Sequence, residues 1–204
     1  MLLFIDTETT GLPLFNEPSE DPRQPHLVQL AAVLCTDDGA IRSTIDLTIR
    51  PNGWIIPDEV AAIHGVTREI AMRDGVEESL AVELMMDMVG RSTTVVAHNF
   101  TFDARIIRIA LKRYECLGEG EAERWAAAPS FCTMREATRL CAVPPTSRMR
   151  AAGRRGPKAP TLVEAMRILL GEELQNAHSA IADAQACRRI WLELARRREL
   201  GEVA

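Results

Sequence analysis

Apolar and polar positions follow one another in blocks that predict an ordered series of strands and helices. Leu2 to Glu8 (LLFIDTE) reads as a strand whose first half is apolar throughout, as expected when both faces of a strand are covered. GLPLFNEPSEDPRQPH follows, and its four prolines and several acids predict a loop. LVQLAAVLC and AIRSTIDLTIRP predict two strands of a hairpin joined at TDDG. Pro57 to His64 predicts a short helix. Gly75 to Met88 predicts a longer one, with Val76, Leu80, Leu84 and Met88 at helical spacing. Thr93 to Ala97 reads as a compact strand and about Phe100 to Arg113 as a helix. A short strand at SFCT precedes a helix from Met134 to Cys141. PPTSRMRAAGRRGPKAP, rich in Pro, Gly and Arg, predicts a mobile loop. TLVEAMRILLG and SAIADAQACRRIWLELARRR predict the last two helices. A hairpin followed by alternating strands and helices predicts an α/β domain around a mixed sheet, and 204 residues suffice for one such domain spanning 1–204.

The first strand breaks its own pattern. Asp6 and Glu8 lie two residues apart, so they share one face of a strand that is otherwise built for burial. Two like charges there are costly unless a cation lies between them. Three further residues are candidates to share that cation. Asp103 falls in the first turn of the helix after the fourth strand, where Asn99 or Thr101 can cap, and a capping or dipole role would also explain it. His178 and Asp183 are five positions apart, which on one helix would set them ~140° apart. They share a site only if His178 precedes the helix, with Ser179 as its N-cap and Asp183 about one turn in. Alanines and an isoleucine surround Asp183, so a carboxylate there needs a partner. Four carboxylates and one histidine, without cysteine, form a hard-oxygen set suited to Mg²⁺ or Mn²⁺ rather than zinc. Two such ions can clamp the attacking and leaving oxygens of a phosphodiester displacement.

Charge and cysteine content add less. The net charge of −5 divides into 16 acidic and 6 basic residues over 1–100, and 13 acidic and 18 basic over 101–204. The basic half is either an electrostatic footprint for nucleic acid or a set of solvated helix faces. Five cysteines, odd in number and without CxxC spacing, argue for free thiols in a reducing cytoplasm. No run approaches a membrane span, and the charged start MLLFIDTE does not read as a signal peptide.

The motifs DTET (Asp6, Glu8), HNFTFD (His98 to Asp103) and H-x₄-D (His178, Asp183), in this order, resemble those of the DEDDh branch of the DnaQ-like 3′→5′ exonucleases. HGVT at His64 and LVQLAAV at Leu27 match weaker family features. The resemblance implies a ribonuclease H-like fold: a five-stranded mixed sheet, its second strand antiparallel, with helices on both faces. It implies that Asp6, Glu8 and Asp183 hold one Mg²⁺ or Mn²⁺, that Asp6 and Asp103 hold a second, and that His178 is the general base. It also implies that the backbone around Thr7, Thr9 and Gly11 approaches the 3′-terminal nucleotide. Leu12 and Phe102 would pack on its base, and Asn99 and His64 would line the pocket. Nucleic acid with a free 3′ end is the implied partner, and a DNA polymerase is a candidate second one.

The sequence departs from the family pattern at Ala31-Ala32, where a glycine is common, and at Cys132, where many members have an Asp. The loops 13–26 and 146–160 are longer than a minimal member needs, and substrate choice is expected there. Arg148, Arg150, Arg154, Arg155 and Lys158 could track a phosphate backbone or form a solvated loop. DNA is the expected substrate. An RNA-directed 3′ exoribonuclease and a non-catalytic nucleic-acid- or polymerase-binding module are the alternatives. The chain ends soon after its last helix, which weakens the reading as a replicative proofreading subunit.

Overall fold

A computed structural model describes residues 1–114, 118 and 120–201. Five strands, β1 (Leu2–Thr9), β2 (Leu27–Cys35), β3 (Ile41–Thr48), β4 (Thr94–Ala97) and β5 (Ser130–Cys132), form one sheet in the order β3-β2-β1-β4-β5. β2 runs antiparallel to both neighbours, whereas β4 is parallel to β1 and to β5. The apolar first half of β1 has the predicted environment: Leu3, Phe4 and Ile5 are fully buried at the centre of the sheet.

Each face is closed by helices. Leu3 and Ile5 pack with α3 (Glu78–Arg91) and α4 (Phe100–Arg113) through Val82, Met85, Ile106 and Ile107. Leu2 and Phe4 face α9 (Ala180–Glu199), where Ala180 and Ala184 let the helix approach Ala31 and Val33 closely. Trp191 of α9 meets Phe4 edge-on, with centroids 6.0 Å apart. The small Ala31-Ala32 pair, noted as a departure, is fully buried, Ala31 against α9 and Ala32 on the opposite face with α3 and α4. A third cluster joins α9 to α6 (Thr133–Cys141), to α8 (Leu162–Ala165) and to the turn that continues α8, through Ala137, Ala165, Met166, Leu169 and Ile190.

Several elements differ from expectation. The third helix starts at Glu78, because Gly75 caps the preceding α2 (Arg68–Asp74), a helix absent from the sequence reading, which follows α1 (Asp58–His64). Gly75 has no room for a side chain, since a Cβ would lie 2.3 Å from the Ala71 carbonyl. α5 (Glu121–Ala127) was also missed; its Trp125 indole donates to the Ala104 carbonyl at 3.1 Å. The segment 144–160 is not loop throughout: α7 (Ser147–Ala151) forms behind Thr146, whose hydroxyl accepts from the Met149 N–H at 3.1 Å. The helix expected at 161–171 opens on a Thr161–Glu164 capping box but widens into a π-helix over Met166–Leu170, ended by left-handed Gly171. The cysteines Cys35, Cys132, Cys141 and Cys187 are free thiols, and Cys116 lies outside the described residues. Among the described residues no helix is long and apolar enough to cross a membrane.

Candidate active site

The site forms where β1 and β4 end. Alternation turns Asp6 and Glu8 to the α9 face, in line with Leu2 and Phe4. Parallel pairing of Phe4 with Val96 brings His98 and Asn99, just beyond β4, level with the acidic end of β1. Asp103, one turn into α4, is 2% exposed, and its Oδ1 accepts a hydrogen bond from the Thr7 hydroxyl at 2.8 Å. The capping role considered for Asp103 is therefore not its principal contact.

His178 precedes α9, as the spacing argument required. Ser179 occupies the N-cap position but makes no side-chain cap; the Asp183 carboxylate reaches back instead, its Oδ2 accepting from the His178 N–H at 3.2 Å. His178 has φ 66°, a left-handed turn that folds the chain back toward Asp183. Glu8, His178 and Asp183 thereby each offer a ligand atom within 4.8 Å of the other two. The Gln29 side chain accepts from the Ala180 N–H at 3.5 Å, so β2 helps fix the start of α9.

Electrostatics marks these acids as one cluster. Burial, then repulsion from Asp103, Asp183 and Glu8, raises Asp6 well above the carboxylate range. Burial and the charges of Asp183 and Asp103 push Glu8 up to about 8. Asp103 rises to about 7, mainly through burial and against the pull of the Thr7 hydroxyl. Asp183 is raised by burial and eased by the His178 N–H. Among the described residues, no Lys or Arg forms an ion pair with any of the four. Asp183 Oδ1 is buried without a hydrogen-bond partner among the described residues. Acids that repel one another, with an orphaned buried oxygen among them, fit a divalent cation.

The remaining predicted residues surround this cluster unevenly. Thr7 and Thr9 are buried, with the Thr9 hydroxyl donating to the Gly11 carbonyl at 2.7 Å. Leu12 is 78% exposed, and Phe102 is half-buried against the core. Asn99 is exposed with φ 72° and does not cap α4 through its side chain. His64 is buried; its Nδ1 accepts from the Val66 N–H at 3.1 Å, while Nε2 has no partner. Burial and the nearby His178 lower its pKa. The sequence reading missed the Thr7 hydroxyl and Gln29, whose only signal is their place between the acids on β1 and opposite Glu8 on β2.

The exonuclease family model, RNase T, matches residues 3–191. The chain belongs to the exonuclease family. No curated protein matches it significantly by sequence. Among solved structures, this exonuclease-family chain is similar to Escherichia coli exonuclease I in complex with a dT13 oligonucleotide (TM-score 0.72, 18% identity, 98% of this chain and 42% of that one). It is also similar to the zinc-bound form of the E. coli exonuclease I–ssDNA complex (0.70, 17%, 98% and 41%). A third similar structure is the moderately thermophilic exonuclease I of Methylocaldum szegediense (0.70, 21%, 97% and 41%). The chain spans about two-fifths of the length of these proteins. The five-stranded sheet with its antiparallel second strand is their ribonuclease H-like fold.

Proposed function

We propose that this chain is a metal-dependent 3′→5′ exonuclease that releases 5′-mononucleotides from DNA. One observation carries the reading: four carboxylates from three segments converge without a cationic side chain, beside the imidazole of His178. The oligonucleotide complexes of exonuclease I support single-stranded DNA as the substrate class. The free thiols of the described cysteines suit a reducing cytoplasm.

Asp6, Glu8 and Asp183 would hold one divalent ion, and Asp6 and Asp103 a second. All-oxygen donors favour Mg²⁺ or Mn²⁺. When bound, such ions neutralise phosphate charge and acidify a coordinated water. The protein supplies the rest. The Thr7 hydroxyl and nearby backbone N–H groups hold the Asp103 carboxylate in place at the site. The His178 N–H holds Asp183 Oδ2, and Oδ1 remains for a cation. A ring nitrogen of His178 takes the proton of the attacking water; its exposure lets it pass that proton to solvent. Exposed Leu12 and the ring of Phe102 offer apolar surface to the terminal base, as sequence-tolerant stacking requires. The backbone at Thr7, Thr9 and Gly11, with Asn99 and His64, borders the terminal nucleotide.

The test uses 3′-labelled DNA and RNA oligonucleotides, single- and double-stranded, with Mg²⁺, Mn²⁺ or EDTA. Mononucleotide release from single-stranded DNA, stopped by EDTA, is expected. Release from RNA alone would move the assignment to an exoribonuclease. Hydrolysis of neither overturns the proposal in favour of a binding module.

A further inference from the structure

Residues 134–160 hold six arginines and one lysine against a single acid, Glu136. The structure neutralises little of this. Glu136 is taken by Arg198 of α9 at 2.6 Å, and Lys158 is paired with Glu164 at 2.6 Å. Among the described residues, ten other arginines, from Arg23 to Arg198, meet a carboxylate within 4.0 Å. Arg148, Arg154 and Arg155 meet none among the described residues and are exposed, in a chain with an excess of acids.

The segment is also ordered and anchored at the site. α7 is capped by Thr146, the Arg154 N–H returns to the Met149 carbonyl at 2.9 Å, and the Lys158 N–H closes the loop on Val143 at 2.9 Å. Its far end is fixed by His98, whose Nε2 hydrogen-bonds the Pro160 carbonyl at 3.1 Å while Nδ1 meets Thr133 at 3.0 Å. His98 lies level with the acidic end of β1. Arg155 and Pro160 are five positions apart, so that arginine lies at most ~18 Å from the rim of the site. That distance corresponds to about five nucleotides at ~3.4 Å each along a stacked strand.

We propose that Arg148, Arg154 and Arg155 form a rail for the phosphate backbone of the strand whose 3′ end occupies the candidate active site. The inference rests on the nuclease reading and names how that site holds a longer substrate. Guanidinium groups match phosphate oxygens in shape and charge. A membrane-binding patch would set inserting aromatics or leucines beside the arginines, and residues 144–160 contain neither.

The test measures binding of a labelled 12-nucleotide single-stranded DNA in EDTA between 50 and 200 mM salt. It compares the wild type with Arg148→Ala/Arg154→Ala/Arg155→Ala. Arg42→Ala/Arg91→Ala, on the far strand β3 and at the end of α3, serves as the charge control. Three phosphate contacts at ~0.7 each predict a fall of about 2 in the slope of log Kd against log salt. Over this fourfold salt range the wild type then loses about 18-fold more affinity than the triple variant. The charge control keeps the wild-type slope, a trinucleotide binds wild type and triple variant alike, and hydrolysis of a chromogenic aryl ester of thymidine 5′-monophosphate is unchanged. Equal slopes for wild type and triple variant overturn the rail. So does loss of pelleting with phosphatidylserine vesicles while the DNA slope stays intact, which assigns the surface to a membrane. An arginine-dependent slope in a wild type that hydrolyses no nucleic acid supports the rail and overturns the nuclease reading alone.

Discussion

Replacing Glu8 with Gln removes one charge from the acidic cluster while keeping the side chain's size, and it is expected to stabilise the metal-free protein at pH 8. Glu8 ionises near 4.5 in an unfolded chain but holds its proton until about 8 in the fold, through burial and the charges of Asp183 and Asp103. The folded state therefore binds more protons than the unfolded state across that window, and stability falls as pH rises through it. The penalty is absent below about pH 4.5 and complete above about pH 8. A rise from 4.5 to about 8 has a ceiling of about 5 kcal/mol at ~1.36 kcal/mol per pKa unit. Glu8 is partly open to water, so screening reduces this to about 1–2 kcal/mol. For a chain of this size that is about 2–8 °C in melting temperature. Thermal melts by circular dichroism in EDTA at pH 5, 6, 7 and 8 are expected to show the Glu8→Gln advantage growing with pH. Added Mn²⁺ reverses the order, because the wild type binds the ion more tightly and gains more by linkage. A variant that melts at or below the wild type at pH 8 in EDTA would refute the cluster electrostatics.

Asp183→Asn is expected to abolish hydrolysis with the fold retained, read by a mononucleotide-release assay beside a far-ultraviolet spectrum; wild-type turnover would remove Asp183 from the ligand set. His178→Gln is expected to lower the rate by about 10²–10⁴ and to erase the limb of the pH–rate profile belonging to its imidazole; an unaltered profile would mean another base. Thr7→Val removes the hydroxyl held by Asp103 and is expected to raise the Mn²⁺ concentration needed for half-maximal rate, since Asp103 is no longer fixed. Glu78, buried in α3, accepts from the Leu27 N–H, His26, Arg113 and Tyr114 at 2.8–3.3 Å. Glu78→Leu strands those donors and is expected to cost about 3–5 kcal/mol in urea denaturation.

Much of the site was legible because strand geometry is local. A period of two puts Asp6 and Glu8 on one face whatever the rest of the chain does. The break in an otherwise apolar strand then signalled the need for a cation. The five-residue gap between His178 and Asp183 likewise required the histidine to precede its helix, and it does. Some short elements were not legible, although α1 and β5 were. α2 and α5 have seven residues each, too few for a periodic pattern, and packing rather than propensity holds them. α7 was hidden in a Pro-, Gly- and Arg-rich stretch, where a single Thr cap starts it.

The sequence alone determined which side chains are candidates for the chemistry, the order of the principal strands and helices, and the face of β1 on which its acids stand. All of these follow from spacing along a single segment. Tertiary structure decided that Asp103 is held by Thr7 across 96 positions and that, among the described residues, Asp183 Oδ1 is left without a partner and Arg148, Arg154 and Arg155 escape the acids that bind most other arginines. Such facts depend on distances between segments far apart in the chain. Those distances exist only once the sheet has closed and its two helical layers have packed.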